Sequence, residues 1–245
     1  MLITSMDNDR VKKYLKLKEK KYRDKYNEFI VEGSHLVLEA YKKGLIEELI
    51  LEKEEVFPLD IKKVVYLPME IINKISSVET PQTVMALCKK PIEELEIKNK
   101  ILLVDNVQDP GNLGAIIRSA VAFNIDTVIL SENTVDLYNP KTIRATQGMF
   151  FHANVIREDL VNIIKKLKDE EIPVYGTLVD HGDDVRNLSS KDKSKYALVI
   201  GNEGNGVRKE ISDLCDKNLY IDLNSNVESL NVVVAASILL YELGR

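Results

Sequence analysis

Asp105-Asn106-Val107-Gln108-Asp109-Pro110-Gly111-Asn112-Leu113-Gly114-Ala115-Ile116-Ile117-Arg118 is the stretch that decides how this chain folds. It follows the apolar run Ile101 to Val104 and leads into Ala115 to Phe123, which reads as a helix. Between strand and helix lies a polar turn carrying Pro110, Gly111, Asn112 and Gly114. A polar, glycine-containing turn between a buried strand and a helix is where α/β folds place their chemistry. Arg118 sits among the apolar residues Ile116, Ile117, Ala120 and Val121, so its charge must either find a partner or face a site.

Downstream the same alternation repeats. Strand candidates are Ile101 to Val104, Thr127 to Leu130, Val174 to Leu178, Ala197 to Ile200 and Leu219 to Leu223. Helices are expected near 113–123, 140–148, 159–170, 207–214 and 229–242. Strands rich in Val, Ile and Leu and separated by helices predict a parallel sheet covered on both faces. Two further polar turns follow strands in this half: Gly201-Asn202-Glu203-Gly204-Asn205-Gly206, and Asn224 to Asn231. Glycines in the former let a backbone approach a ligand closely. In the latter, Ser229 is a candidate cap for the last helix. Three such turns at the carboxyl ends of parallel strands converge on one edge of the sheet, where these folds bind ligands. The last helix is apolar almost all round from Val232 to Leu240, which predicts deep burial or burial by a second subunit.

The first hundred residues alternate in shorter pieces. A charged helix over 8–26, a strand Phe29 to Glu32, a helix Ser34 to Lys43 ended by Gly44, short β runs at Leu49 to Leu51 and Val64 to Tyr66, a helix Pro68 to Ile75 and a strand Thr83 to Lys89 describe a small α/β unit. Pro91 to Lys100 is the linker candidate. The division expected is therefore 1–95 and 96–245.

Charge and composition bound the function. The net charge is −5, with 44% hydrophobic and 30% charged residues, which argues against indiscriminate coating of nucleic acid. Yet residues 10–25 hold nine Lys or Arg against Glu19 and Asp24, a local excess of seven positive charges. Such a patch can hold phosphates, or can be a solvated helix face. Tyr14, Tyr22 and Tyr26 can stack on bases or pack the helix down; composition leaves both readings open. Cys88 and Cys215 belong to no CxxC pattern, and His35, His152 and His181 are isolated, so no metal site is expected. The amino terminus lacks a signal-peptide core and no apolar run approaches a membrane span; the chain is expected in the cytoplasm.

Taken together, Asn112-x-Gly114-x-x-x-Arg118, Gly201-Asn202-Glu203-Gly204-x-Gly206 and Ser229-Leu230-Asn231 at the head of a helix rich in small and apolar residues resemble, in order, the three motifs of the SpoU (TrmH-like) RNA ribose 2′-O-methyltransferases. The resemblance covers residues 101–245 closely. More loosely, residues 28–90, with Phe29-Ile30-Val31-Glu32-Gly33 near their start, look like the L30e-like substrate-binding domain that often accompanies them. It implies an α/β methyltransferase domain with a carboxyl-terminal trefoil knot, which periodicity alone does not reveal and which the usual absence of knots argues against. It also implies S-adenosylmethionine as cofactor, with Gly201, Ile221 and Leu230 holding it largely through their backbone and Thr177 and Leu178 completing the adenine pocket. Of the catalytic set it implies, Arg118 acts on the target ribose hydroxyl, Asn112 positions Arg118 or the nucleotide, and Glu203, Ser229 and Asn231 orient the ribose. A guanidinium stays protonated in proteins, so Arg118 is expected to bind the target phosphate and polarise the hydroxyl, with acceptance of the hydroxyl proton as the alternative. The resemblance further implies a homodimer through the last helix, and ribosomal RNA in preference to transfer RNA as substrate. A non-catalytic ribosome-assembly factor on the same fold is the alternative of another class. A nicotinamide-dependent oxidoreductase is disfavoured, because no GxGxxG follows Val104.

Overall fold

A computed structural model describes residues 1–179 and 182–245; His181 lies outside the described residues. The chain divides into two compact units: Met1–Ile92 with Tyr138–Phe151, and Glu93–Leu137 with His152–Arg245.

The first unit contains α1 (Asp9–Lys16), α2 (Lys20–Tyr26), β1 (Glu28–Glu32), α3 (Ser34–Lys42), β2 (Ile46–Glu52), β3 (Val64–Leu67), α4 (Met69–Ile75) and β4 (Val84–Lys89). Its sheet runs β1-β4-β2-β3, antiparallel except for the β2–β3 pair. Val11 and Tyr14 of α1, Ile71, Ile72 and Ile75 of α4, and Ile50, Met85 and Leu87 of the sheet form one apolar cluster. The single helix expected over 8–26 is broken in two. Residues 17–19 form a turn, and the buried guanidinium of Arg23 donates to the carbonyls of Leu17 and Lys18, each at 2.7 Å. An arginine that supplies the missing partners of a helix end makes that break stable.

The same segment consumes most of its own charge. Arg10 pairs with Glu48 at 3.0 Å, Lys13 with Glu28, Lys12 with Asp7, Lys20 with Asp24 and Lys21 with Glu19. Lys18 donates to the Ser76 carbonyl at 2.7 Å. Lys16 and Lys25 lie over the rings of Tyr22 and Tyr26, which stack on one another. Tyr14 is fully buried and its hydroxyl donates to Glu48 at 2.5 Å; burial first, and the adjoining Glu48 carboxylate second, push that phenol well above its ordinary range. The positive run of the sequence is thus largely paired: Arg10 and Lys13 tie α1 to the sheet, Lys18 ties the turn to the end of α4, and the other pairs are local to residues 7–24.

The second unit begins with β5 (Lys100–Val104), α5 (Pro110–Ala122) and β6 (Thr127–Leu130). The chain then contributes α6 (Pro140–Ala145) and a 3₁₀ turn over Met149–His152 to the segment clustered, through Phe151, with the first unit. It resumes with β7 (Val155–Arg157), α7 (Leu160–Asp169), β8 (Val174–Thr177), β9 (Asp183–Asp184), β10 (Tyr196–Ile200), α8 (Lys209–Ser212), β11 (Lys217–Tyr220) and α9 (Val232–Leu243). The sheet order is β7-β6-β5-β10-β8-β11-β9, and every pairing is parallel. Residues 101–104 and 196–200 are buried throughout, as strands covered on both faces must be.

Several boundaries differ from those read in the sequence, each for a local reason. The helix after β5 starts at Pro110, not near 113. Asp109 caps it by accepting from the Asn112 N–H at 2.9 Å, and Pro110 occupies the first helical position, where its missing N–H costs nothing. Gly111 and Gly114 therefore lie within the helix rather than in a turn. The helix expected over 140–148 ends at Ala145, because Gln147 and Gly148 take positive φ. The last helix is capped by Asn231, whose Oδ1 accepts from the Val233 N–H, and not by Ser229. The linker candidate carries Leu95 and Ile97, which pack against the core of the second unit, while the carbonyls of Glu94 and Glu96 accept from Asn154 and Thr127. Among the described residues no helix is long and apolar enough to cross a membrane, and no group of three His, Cys, Asp or Glu is placed to hold a metal.

Candidate active site

β5 and β10 are neighbours, with Val104 paired to Ile200 at their carboxyl ends. The first and second polar turns therefore leave the sheet side by side. β8 flanks β10 on the other side and β11 lies beyond it, so the ends of four strands feed one edge.

The second turn closes on itself. Asn202 and Gly206 exchange backbone hydrogen bonds at 2.9 and 3.0 Å, and Gly206 has φ +66°. A Cβ on Gly201 would collide with the backbone of Gly206 and Val207, which is why glycine is needed there. Asn202 staples the loop: its Oδ1 accepts from the N–H groups of Gly204 and Asn205 at 2.9 and 3.1 Å, and its Nδ2 donates to the Asn106 carbonyl at 2.8 Å.

Glu203 fastens this turn to the first. Its Oε1 accepts from the Asp109 N–H at 3.1 Å and from Asn112 Nδ2 at 3.0 Å, and its Oε2 accepts from the Gln108 N–H at 3.2 Å. Burial works against ionisation, but these hydrogen bonds outweigh it and hold the carboxyl below its ordinary value. The carboxylate also lies at the amino-terminal end of α5, where the helix dipole favours negative charge. A second tie sits beneath. Asp105, fully buried at the end of β5, accepts from the Arg208 N–H at 2.9 Å and from Arg208 Nε at 2.8 Å. On the far side of the first turn, Ser131 Oγ donates to Asn106 Oδ1, Gln108 Nε2 donates to the Asn133 carbonyl, and Arg157 donates to the carbonyls of Ser131, Glu132, Thr134 and Val135. The loop that carries the first motif is braced from both sides.

Between the second and third turns lies a cavity of about 310 Å³. Thr177 and Leu178 from the end of β8, Gly201 from the end of β10, Ile221 after β11, and Leu230 before α9 all line it, together with Glu203 and Ser229. Thr177 is held by its hydroxyl, which donates to the Val199 carbonyl at 3.0 Å. All five residues expected to hold the cofactor thus share one pocket. It is rich in backbone and aliphatic surface and of a size that small-molecule sites adopt. The remaining expected residues are distributed around it. Asn112 is joined to the pocket through Glu203, and Asn231 follows Leu230 as the cap of α9. Arg118 is exposed two turns into α5, its side chain makes no ion pair or hydrogen bond among the described residues, and it does not line the cavity. α5 packs along α9, where the hydroxyls of Ser119 and Ser237 lie 2.8 Å apart and Phe123 meets Tyr241 edge to face. Asn202, Asp105 and Arg208 escaped the sequence reading. Asn202 had a signal, an Asn two residues before Gly204 in a turn. Asp105 and Arg208 had none, since 103 residues separate them.

An open edge of a parallel α/β sheet, bearing a glycine-shaped turn and an apolar cavity, defines a small-molecule-binding enzyme domain joined to a smaller mixed α/β domain. Residues 99–241 match the SpoU rRNA methylase family and residues 8–86 the MRM3-like substrate-binding domain. The chain belongs to the SpoU rRNA methylase family. It is 41% identical over 245 residues to the 23S rRNA (guanosine(2553)-2′-O)-methyltransferase RlmP of Bacillus subtilis, covering 98% of each chain. Among solved structures it resembles the AdoMet-bound rRNA methyltransferase of Sinorhizobium meliloti, with 27% identity and a TM-score of 0.88 over 99% of this chain and 97% of that one. It also resembles an RNA 2′-O ribose methyltransferase, with 27% identity and a TM-score of 0.84 over 99% and 98%.

Proposed function

We propose that this protein transfers the methyl group of S-adenosylmethionine to a ribose 2′-hydroxyl of ribosomal RNA, with 23S rRNA as the substrate. The observation that carries the reading is the cavity between the second and third turns, which gathers Thr177, Leu178, Gly201, Ile221 and Leu230 in one lining. Its residues fit the cofactor: aliphatic walls suit an adenine ring, and the backbone of the glycine turn suits a polar ribose and amino-acid tail. When bound there, the cofactor supplies an electrophilic methyl on a sulfonium.

The chain's own residues supply orientation and charge. In-line transfer needs the hydroxyl oxygen held behind the methyl carbon, and orientation alone provides a large part of such rate enhancements. Arg118, exposed and without an internal partner, binds the phosphate next to the target ribose and favours the alkoxide character of its hydroxyl. Ser229 and Asn231 orient the ribose. Glu203 and Asn112 act as positioning residues, because their polar atoms already face one another. Family membership implies the trefoil knot that brings the second and third turns together. The exposed apolar stripe Val234, Ile238 and Tyr241 on α9 supports a homodimer through that helix, and a protein that modifies ribosomal RNA in bacteria works in the cytoplasm.

The test is mass-spectrometric mapping of ribose methylation in total RNA from cells with and without the gene. Loss of one 2′-O-methyl in 23S rRNA, at the guanosine equivalent to that of the Bacillus relative, is the expected result. Loss from a transfer RNA would move the substrate, and an unchanged map would favour the assembly-factor reading.

A further inference from the structure

The first unit holds a groove of about 580 Å³, built by Gly33, Ser34 and His35 at the start of α3, Gln82 in the loop before β4, and Arg144 and Gln147 on and after α6. We propose that this groove binds a phosphodiester of the RNA substrate; the proposal rests on the RNA-methyltransferase reading above and adds to it a site that shares no lining residue with the cofactor cavity.

The lining is rich in donors, and its carboxylate is hydrogen-bonded into the loop that forms one wall. Glu32, the one carboxylate among the lining residues, is already spent: it accepts from the Ser76 hydroxyl at 2.6 Å, the Gln82 N–H at 3.1 Å and the Ser77 N–H at 3.4 Å. Those bonds fix the 76–82 loop as one wall. Arg144 is anchored on it by a single bond, Nη1 to Ser77 Oγ at 2.8 Å. Its other guanidinium N–H groups meet no partner among the described residues, so the cation is positioned but not consumed. A planar fork held in this way suits a phosphate better than a free lysine would.

The opposite wall is equally fixed. His35 Nε2 lies 3.1 Å from the Gln147 carbonyl, which can only accept, so this nitrogen carries the proton. Gly148 has φ +83°, and a Cβ there would come within 3.0 Å of the His35 ring. The chain therefore needs glycine at 148 to seat the histidine. Gly33 leaves the first turn of α3 without a side-chain cap. The side-chain amides of Gln82 and Gln147 donate to the Thr80 and Arg144 carbonyls at 3.5 and 3.3 Å, which leaves each a second N–H beside the cation.

The groove also explains an oddity of the chain path. Arg144 and Gln147 lie within the stretch that matches the methylase family, yet they pack with the first unit, which matches the substrate-binding domain. The segment between β6 and β7 thus completes a binding surface that the amino-terminal residues alone leave without a cation.

The test compares wild type with Arg144→Ala, Arg144→Lys and Ser77→Ala, using 23S rRNA transcribed in vitro, by filter binding across a potassium chloride series and by steady-state methyl transfer. The expected result for Arg144→Ala is an RNA Kd weaker by about tenfold and a log–log salt slope shallower by about 1, the signature of one lost phosphate contact. Its KM for RNA should rise with kcat held within about twofold, and its Kd for S-adenosylmethionine should not move; Arg144→Lys and Ser77→Ala should be intermediate. An unchanged RNA Kd and salt slope in Arg144→Ala would overturn the groove while leaving the methyltransferase reading intact. RNA binding that shows the expected loss without methyl transfer by the wild type would overturn that reading and leave the groove. Displacement of RNA from wild type by millimolar inorganic phosphate, equal in Arg144→Ala, would also refute the assignment.

Discussion

Glu203 Oε1 and the side-chain amide of Asn112 meet at 3.0 Å, joining two loops that lie 91 residues apart in the chain. The contact turns two motif residues into a buckle, with the carboxylate also receiving the N–H groups of Gln108 and Asp109. Its consequence is a pH dependence. Although burial raises its pKa, the hydrogen bonds win and hold the carboxyl below its ordinary 4.5. A group whose folded pKa is depressed stabilises the fold fully above its unfolded value and loses that contribution as pH falls through the folded one. Thermal stability of the wild type should therefore fall more steeply below pH 4.5 than that of Glu203→Gln, which has no proton to gain. At neutral pH the substitution should cost about 1 kcal/mol, kept small because solvent reaches the carboxylate. Parallel Tm-versus-pH profiles for the two proteins would refute the buckle.

Asp105 and Arg208 give a stronger structural prediction. The carboxylate is wholly buried and takes two bonds from one residue. Arg208→Met leaves that charge only the backbone N–H of residue 208 and should cost about 2 kcal/mol, below the loss at a fully buried pair because the Arg208 side chain is partly exposed. Asp105→Asn with Arg208→Met should cost clearly less than the two single changes added together. Urea unfolding of the four proteins measures this; additive losses would mean the pair is not coupled.

The layers of the second unit were legible because buried parallel strands announce themselves: Ile101 to Val104 and Ala197 to Ile200 are apolar without alternation, and the polar turns after them are short. The convergence of those turns was legible too, since parallel strands put all their carboxyl ends on one edge. What escaped was whatever depends on contacts distant in sequence. The sequence reading of Glu203 carried no sign that its carboxylate accepts from the start of α5, a helix whose true first residue, Pro110, resembled a turn. The positive run at 10–25 stayed open between a phosphate surface and a bonded helix face, because its partners Glu28, Glu48 and the Ser76 carbonyl lie outside the window. The strand Val155–Arg157 is three residues long, too short for any periodicity to register.

Gly201 tests the cavity. Any side chain there meets the backbone of Gly206 and Val207, which cannot give way as a flexible side chain can. Gly201→Ala should open the 201–206 turn and weaken binding of S-adenosylmethionine by at least tenfold in calorimetry, with RNA binding retained. Gly204→Ala is the control, because a Cβ there meets only Asn202 Oδ1 at 3.6 Å. Equal affinities for the two variants would disprove the role assigned to the turn.

Arg118 separates chemistry from architecture. Its side chain is exposed and makes no internal bond among the described residues, so Arg118→Ala should leave Tm nearly unchanged, as surface substitutions usually do. The same variant should lose methyl transfer almost entirely while binding S-adenosylmethionine normally. Arg118→Lys should recover little, since a point charge does not reproduce a bidentate fork on phosphate. Retained turnover in the alanine variant would sink the assignment, and a large drop in Tm would reveal a bracing role instead.

The last helix carries a prediction about assembly. Its inner face, Ala236, Leu239, Leu240 and Leu243, is buried within the subunit. Val234, Ile238 and Tyr241, at i, i+4 and i+7 along the same helix, remain 45%, 37% and 50% exposed. An apolar stripe on one side of a helix that is already buried on the other calls for a second covering surface. Sedimentation at micromolar concentration should give a dimer for the wild type and a monomer for Val234→Asp with Ile238→Asp, because placing like charges on a two-fold interface opposes its own copy. The double variant should keep its fold by circular dichroism, as neither residue belongs to the buried face. A wild-type monomer at that concentration would leave the stripe without the partner inferred for it.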